Sequence, residues 1–127
     1  MSAFVLDAGA LIAVERDDRS IMACFQVAAE EDIALATHAM IVAEVWRAAD
    51  GRNAKLARFL SAVRVAAIGE LEGRKAGELC GAADTDDPID AALALLAQPG
   101  DWILTSDPDD LGHLVGVAGS GANIVAI

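Results

Sequence analysis

Five short apolar runs, separated by segments with helical spacing, constrain the fold of this chain most strongly. The runs are residues 4–6, 33–36, 63–68, 102–105 and 124–127. Each is apolar almost throughout rather than alternating, which is typical of strands that are buried on both faces. Such strands alternating with helices predict a parallel sheet with helices on both sides. We therefore expect an α/β fold, a three-layer α/β/α sandwich around a central parallel sheet of about five strands.

The segments between the runs predict the helices. They are residues 19–31, 38–49, 56–60, 70–83, 88–97 and 109–115, with a first helix after Asp7. Thr37 is expected to be the N-cap of the helix that starts at His38, and Pro88 suits a first helical position. Trp46 and Trp102 are expected to lie in the core, where large aromatic side chains contribute most.

Size and charge narrow the class of protein. The chain has 127 residues and 55% hydrophobic residues, enough for one domain, residues 1–127. Its formal net charge of -11 excludes a broad basic face, so a polyanionic substrate would need cations. Cys24 and Cys80 have no metal-ligand spacing and indicate reduced thiols. With no basic leader and no apolar run of membrane-spanning length, a soluble, cytoplasmic protein is expected.

Acidic residues occupy the positions where function is expected in such a fold. Ligands of open parallel sheets bind outside the carboxyl ends of the strands. Asp7 follows the first strand and Asp107 the fourth, so the sheet would bring both to one edge. Glu44 lies among apolar residues of a helix, where an unpartnered carboxylate is costly to bury. Asp90 falls in the first turn of the helix that Pro88 opens.

Carboxylates that converge in this way either share protons or bind a metal ion. An all-oxygen site suits Mg²⁺ or Mn²⁺. His38 and His113, the only histidines, are too scattered for a zinc site and have no partners for a nucleophilic triad. A metal held by carboxylates lowers the pKa of bound water and neutralises charge at a phosphoryl group. Phosphodiester hydrolysis is the reaction that this chemistry favours.

Four motifs in order along the chain resemble those of a known family. They are residues 4–12 (FVLDAGALI), 41–45 (IVAEV), 88–91 (PIDA) and 103–111 (ILTSDPDDL). The chain resembles the PIN-domain ribonucleases, and in particular the VapC-like toxins of bacterial toxin-antitoxin pairs. The resemblance spans almost the whole chain.

The resemblance implies a metal-dependent endoribonuclease that leaves a 5′-phosphate and a 3′-hydroxyl. It assigns the acidic site and its Mg²⁺ or Mn²⁺ ions to Asp7, Glu44, Asp90 and Asp107. Accessory candidates are Asp109, Asp110, Asp87 and Thr105. It further implies a homodimer and a cognate antitoxin, a protein partner that can occlude the site.

Two features of this chain depart from the family pattern. Position 9, where family members usually carry Ser or Thr, is Gly9, so a hydroxyl that would orient a carboxylate or water is missing. The loop before Asp90 is unusually acidic, which makes Asp87 a rival ligand. We favour Asp90 because it directly precedes Ala91 as in the family, whereas Asp87 fits the N-cap of the same helix.

Each candidate also has a plain structural interpretation. Asp7 suits a helix cap, and the cluster formed by Arg47, Arg52, Lys55 and Arg58 suits a solvent-exposed face. Only Arg47, one turn from Glu44, is retained as an RNA-positioning candidate. The glycine-rich segment 116–121 is interpreted as a flexible turn, because no helix follows it as a dinucleotide loop requires.

Other functions for an acidic pocket remain open. A receiver domain of a two-component system needs a Lys near its last strands, and this chain has no Lys after Lys75. A phosphatase or 5′-nuclease would use the same carboxylates on other phosphate esters. A non-catalytic module would use them only to bind a basic partner.

Overall fold

The structure, a computed structural model, describes residues 2–48, 51 and 53–127 of the chain. Within them five strands alternate with helices. The strands are β1 (Ala3–Leu6), β2 (Ala34–His38), β3 (Arg64–Ala66), β4 (Trp102–Thr105) and β5 (Asn123–Ala126). The helices are α1 (Ala8–Glu15), α2 (Arg19–Glu30), α3 (Ala39–Val45), α4 (Ala54–Leu60), α5 (Glu70–Ala83), α6 (Pro88–Leu96) and α7 (Pro108–Ala118).

The five strands form one parallel sheet in the order β3-β2-β1-β4-β5. The chain adds strands to one side of β1 first and then returns to its other side. Right-handed crossovers in opposite directions place their helices on opposite faces of a sheet. Accordingly, α1 contacts α2, α3 and α4, whereas α5, α6 and α7 pack on one another. The expected three-layer α/β/α sandwich with a five-stranded parallel sheet is confirmed.

The core lies on both faces of the central strands. All four residues of β1 are buried, and so are the last three of β4. The side chains of Leu6, Leu11, Ile41, Leu93 and Ile103 are at most 1% exposed. Strands enclosed on both faces need apolar residues at successive positions, which is why the sequence shows runs instead of alternation.

The junction between β2 and α3 differs from the prediction. Thr37 is the fourth residue of β2, fully buried, and its hydroxyl donates a hydrogen bond to the Leu6 carbonyl at 2.8 Å. The N-cap of α3 is His38, whose Nδ1 accepts a hydrogen bond from the Met40 N–H at 3.2 Å. The N-cap prediction for Thr37 was therefore wrong. A threonine suits a buried strand when its hydroxyl finds a partner on the neighbouring strand.

Helix α3 is shorter than predicted and leaves an aromatic residue in solvent. It ends at Val45, and Trp46 has extended backbone angles. The side chain of Trp46 is 38% exposed, so its assignment to the core was wrong. Trp102 is half-buried and packs edge-to-face on Phe4, with ring centroids 5.6 Å apart. Ala49, the predicted end of the helix, lies outside the described residues.

The last helix is longer than predicted. It runs from Pro108 to Ala118 and ends at Gly119, whose φ of 65° is the left-handed value that glycine adopts most readily at a helix end. Residues 116–118 are thus helical, and their interpretation as a turn was wrong. Strand β3 is shorter than the predicted run 63–68.

A buried histidine connects two helices that carry predicted site residues. Because His38 Nδ1 accepts from Met40, its Nε2 carries the proton and donates to the Ile89 carbonyl at 2.9 Å. Burial lowers the pKa of His38, which keeps the ring neutral as this pair of bonds requires. The ring thereby joins the start of α3, the helix of Glu44, to the residue that precedes Asp90.

Replacing His38 by Ala should destabilise the fold by about 3 kcal/mol, because it removes two hydrogen bonds and leaves a cavity. His113→Ala is the matched control. His113 is exposed and forms one hydrogen bond, from Nε2 to the Ala83 carbonyl at 2.8 Å, so its loss should cost at most about 1 kcal/mol. Urea denaturation of both variants measures the difference. Equal losses of stability would contradict the assigned role of His38.

No helix in the described part of the chain is both long enough and apolar enough to cross a membrane.

Candidate active site

The sheet topology fixes where a site can form. The strand order reverses between β1 and β4, and crevices of parallel sheets open at such a point beyond the carboxyl ends of the strands. Asp7 follows β1 directly. Thr105 is the last residue of β4, and Ser106 and Asp107 follow it. Because β1 and β4 are hydrogen-bonded neighbours, these residues lie at one edge, as the sequence predicted.

Asp7 is held at the centre of this edge by three hydrogen bonds. Its Oδ1 accepts from the Ala10 N–H at 2.8 Å. Its Oδ2 accepts from the Thr105 hydroxyl at 2.6 Å and from the Ser106 N–H at 3.2 Å. The Thr105 oxygen in turn accepts from the Asp107 N–H at 2.8 Å. The carboxylate is thus fixed by both strands and by the first turn of α1.

The charge on Asp7 is set by opposing effects. The residue is only 3% exposed, and burial raises the pKa of its carboxyl group above the usual value. The bonds from Thr105, Ala10 and Ser106 act against this rise, and repulsion from Asp107 adds to it. The plain interpretation of Asp7 as a helix cap is confirmed, because the residue is the N-cap of α1. A helix N-cap does not need to be buried, so the burial of Asp7 is not explained by its capping role alone.

Asp90 lies in the first turn of α6 and is half-buried. Burial is the largest cause that raises its pKa to about 7, and repulsion from Asp87, Asp7 and Glu44 adds to it. Asp87 is the N-cap of α6, and its Oδ1 accepts from the Asp90 N–H at 3.0 Å. Pro88 occupies the first turn as predicted. Asp87 and Asp90, the two alternative ligand candidates of this loop, therefore lie next to each other in the structure.

Glu44 faces the same group of acids from α3, but it is more accessible than expected. Its side chain is exposed, so the prediction that this carboxylate is buried was wrong. Helix α3 has only seven residues and ends at Val45. The apolar stripe of so short a helix is too narrow to enclose Glu44. Partial desolvation raises the pKa of Glu44, with further contributions from Asp87 and Asp7, and the Arg47 charge opposes them.

The basic residues nearby are placed mainly as a solvent-exposed face. One guanidinium nitrogen of Arg47 donates to the carbonyls of Ala43 and Trp46 at 3.2 Å and 3.0 Å, at the end of α3. Lys55 is ion-paired at 2.6 Å with an exposed aspartate. Arg52 lies outside the described residues. Among the described residues, Arg47 is thus a basic side chain whose charge acts on a candidate site carboxylate, Glu44.

The fourth predicted acid is more peripheral. Asp107 is exposed, and its charge acts on Asp7 rather than on Asp90 or Glu44. It is the N-cap residue of α7, although its side chain makes no capping bond. Asp109 and Asp110 are exposed in the first turn of the same helix.

An acidic cavity of about 340 Å³ lies beside Asp90, and Asp7 is not part of its lining. Its lining includes the carboxylates of Asp84, Asp86, Asp87, Asp90 and Asp110. The unusually acidic loop before α6 therefore forms one wall of a depression beside the candidate site. Another cavity of about 190 Å³, between β3, α5 and α6, is mainly apolar and contains none of these aspartates.

The donor atoms fit a hard divalent cation by their chemistry. Asp7, Glu44, Asp87 and Asp90 provide only carboxylate oxygens. Burial raises the pKa of Asp7, Glu44 and Asp90, and repulsion from neighbouring acids adds to the rise. Among the described residues, however, no three His, Cys, Asp or Glu side chains are already close enough together to hold a metal ion. Binding would therefore require exposed members such as Glu44 to turn towards Asp7.

Two hydroxyl residues lie next to Asp7. Thr105 was an accessory candidate from the family resemblance, whereas Ser106 was not predicted as a site residue. Thr105 is fully buried and bonds both Asp7 and the backbone of Asp107. Ser106 supplies a backbone donor. Their position at the carboxyl end of β4 is the signal that marked Asp107, and the same signal covers every residue at that strand end.

Asp90 should show an unusual pH dependence. Because its pKa rises from 3.8 in the unfolded chain to about 7 in the fold, its neutral form favours folding. This contribution is complete below the lower value and is lost as the pH rises through the higher one. Asp90→Asn should therefore have a higher free energy of unfolding than wild type above neutral pH, by about 1 kcal/mol after allowance for solvent screening, and no such gain near the lower pKa. Thermal unfolding at the two pH values measures the difference.

Nuclear magnetic resonance titration of the carboxyl carbons, without divalent metal, measures the pKa of Asp90 directly. Asp87→Asn should lower it, because the largest neighbouring charge is removed. A carboxyl group that titrates at the ordinary aspartate value in the wild-type protein would contradict the close approach of these acids.

Comparison with known proteins supports the fold. No protein-family model matches the chain, and no curated protein matches it in sequence. The structure is similar to a chain in the crystal structure of VapBC2 from Rickettsia felis bound to a DNA fragment from their promoter. The TM-score is 0.71 at 14% sequence identity, and the match covers 98% of each chain. At this identity the similarity establishes a shared α/β fold.

Proposed function

We propose that this protein is a metal-dependent endoribonuclease and the toxin component of a toxin-antitoxin pair. The observation that carries the proposal is the buried Asp7 at the point where the strand order reverses, with Asp90 and Glu44 near enough for its charge to act on both. Burial and repulsion raise the pKa of each of these three groups. Acids grouped around a buried carboxylate at such an edge are a typical environment for a divalent cation that acts on phosphate, and here the exposed members would turn inward to bind it.

Asp7, Asp90 and Glu44 would hold Mg²⁺ or Mn²⁺, with Asp87 and Asp107 at the margin. When bound, the ion supplies a hydroxide nucleophile near neutral pH and neutralises charge on the phosphate. Asp7 is the fixed member, because three donors restrict its rotation. Asp90 holds a proton for part of the time at neutral pH and would give it up when a cation binds.

The acidic surface determines which partners this site accepts. RNA would approach only where cations reverse the local charge, since the chain carries 20 acidic against 9 basic residues. Arg47 remains the candidate for positioning the RNA backbone near Glu44. A cognate antitoxin that presents Arg or Lys to the acidic cavity would occlude the site, and the VapBC2 neighbour supports this partner class. We also propose a homodimer and a cytoplasmic location, as the resemblance to VapC-like toxins implies.

The proposal is tested by RNA cleavage with Mg²⁺ or Mn²⁺ and with EDTA. We expect cleavage that EDTA abolishes, products with a 5′-phosphate and a 3′-hydroxyl, and strong loss in Asp90→Asn. Asp32→Asn is the control, since Asp32 lies in an exposed turn far from the site. Equal activity of wild type and Asp90→Asn, or activity that EDTA leaves unchanged, would remove the mechanism.

Two other functions correspond to definite outcomes of the same experiment. Turnover of small phosphate monoesters or of free 5′ ends, without internal cleavage of RNA, would indicate a phosphatase or 5′-nuclease. Absence of any metal-dependent cleavage, together with binding of a basic peptide, would indicate a non-catalytic acidic module.

A further inference from the structure

Gly9 and Ser106 share one space beside Asp7. Gly9 lies in the first turn of α1, and a Cβ built on it would lie 2.2 Å from Ser106 Oγ and 2.7 Å from Ser106 Cβ. The same position is 3.3 Å from Asp7 Oδ1. Real Cβ atoms do not approach other atoms at the first two distances. The side chain of Ser106 thus fills the place where any larger residue 9 would put its own.

The backbone at Gly9 does not itself require glycine. Gly9 is helical and is not among the positive-φ residues of the described chain, so alanine would fit its backbone and would favour the helix. The requirement for glycine comes from the neighbouring side chain. The absence of a Cβ at Gly9 therefore leaves room for the Ser106 side chain beside Asp7.

The Ser106 hydroxyl is available to a ligand. Ser106 is exposed, whereas Asp7 beside it is 3% exposed. The Ser106 side chain forms no hydrogen bond within the described residues, while its N–H donates to Asp7 Oδ2. Thr105, the other hydroxyl of this corner, is buried and already committed to Asp7 and Asp107. Ser106 Oγ is therefore the uncommitted hydroxyl next to the fixed carboxylate.

We propose that the Ser106 hydroxyl is a positioning group that donates a hydrogen bond to a phosphate oxygen of RNA bound beside Asp7, and that Gly9 exists to leave room for it. This inference rests on the proposed ribonuclease function. Ser106, which follows β4, thereby supplies the hydroxyl that position 9 lacks in this chain. A hydroxyl hydrogen bond to a charged oxygen is strong enough to affect turnover measurably.

The test compares five variants, three single and two double, with wild type in RNA cleavage and thermal unfolding. Ser106→Ala should lower kcat about tenfold with little change in KM, since one hydrogen bond to a charged group is lost and most RNA contacts remain. Its melting temperature should stay close to that of wild type, because Ser106 is exposed. Gly9→Ala should lose activity to a similar extent, because the new Cβ displaces Ser106. Gly77→Ala, at an exposed helical glycine whose Cβ would meet nothing within 4 Å, should retain full activity.

The double variants separate the hydroxyl from the space that it occupies. G9A/S106G relieves the clash and should recover stability, but it should remain as inactive as Ser106→Ala. G9S/S106G returns a hydroxyl from the other side of the same space and should recover most of kcat. A merely structural role of Ser106 would not produce recovery in one double variant and failure in the other.

The outcomes are distinguishable. Wild-type cleavage together with unchanged kcat in Ser106→Ala, or equal kcat in the two double variants, would overturn this inference and leave the ribonuclease intact. A wild-type chain that cleaves no RNA with Mg²⁺ or Mn²⁺ would overturn the proposed function and this inference with it.

Discussion

Asp7→Asn is expected to lower kcat/KM for RNA cleavage by on the order of a hundredfold or more. The change keeps the size of the side chain but removes the charge at the centre of the site. It also replaces one of the two accepting oxygens, Oδ1 facing Ala10 or Oδ2 facing Thr105 and Ser106, by an NH₂ group that cannot accept. In either orientation of the new amide at least one buried donor loses its acceptor, so we expect a stability loss of about 1–2 kcal/mol as well. Steady-state cleavage and urea denaturation measure the two effects.

The control for this change lies at the opposite edge of the sheet. Asp101 precedes β4, is 4% exposed, and accepts hydrogen bonds from the N–H groups of Ala3 and Gln98, both at 2.8 Å. Asp101→Asn should therefore cost similar stability but leave cleavage at the wild-type level. If Asp7→Asn and Asp101→Asn reduced cleavage equally, the loss would reflect stability rather than chemistry, and Asp7 would have no special role.

Thr105→Val should reduce cleavage by about tenfold to a hundredfold and destabilise the fold by about 2 kcal/mol. Valine has nearly the shape of threonine but removes the hydroxyl that donates to Asp7 and accepts from Asp107. Because the Thr105 bond lowers the pKa of Asp7, its loss should raise that pKa further. The pH at which cleavage reaches half of its maximum should therefore move upwards, and a pH profile of kcat measures the shift.

Thr37→Val provides a control of the same chemistry and burial. The hydroxyl of Thr37 is also fully buried and donates at 2.8 Å, but to a backbone carbonyl, that of Leu6. It should lose stability without a shift in the pH profile. An unshifted profile in Thr105→Val, with a stability loss equal to that of Thr37→Val, would show that Thr105 acts only as a structural residue.

The sequence was sufficient to predict the fold, because strands that are buried on both faces of a sheet have a recognisable local pattern of apolar residues. A strand in a parallel sheet must be apolar at successive positions, so β1 and β4 could be located to within a residue. The edges of α3 were less predictable. The point at which helix α3 ends, before Trp46, depends on contacts between α3 and its neighbours. The periodicity of one segment carries no information on such contacts.

The candidate site was predictable only in part, because the packing of the helices that carry its residues is not recorded in any one segment of the sequence. The strand-end rule placed Asp7 and Asp107 at one edge, and the structure agrees. The exposure of Glu44 and the approach of Asp87 to Asp90 depend on how α3 and α6 pack, which the sequence does not state. The exchange of space between Gly9 and Ser106 joins positions nearly a hundred residues apart. A glycine in a helix gave no sign of it.

The central claim is that acids distant in the chain form one site for a divalent cation. The most direct test of this claim is a titration of Mn²⁺ into the metal-free protein, in which electron paramagnetic resonance measures the concentration of free Mn²⁺. We predict saturable binding in wild type and Asp101→Asn, with affinity reduced at least about tenfold in Asp7→Asn and in Asp90→Asn. Absence of saturable binding, or equal affinity in wild type, Asp7→Asn and Asp90→Asn, would contradict the claim.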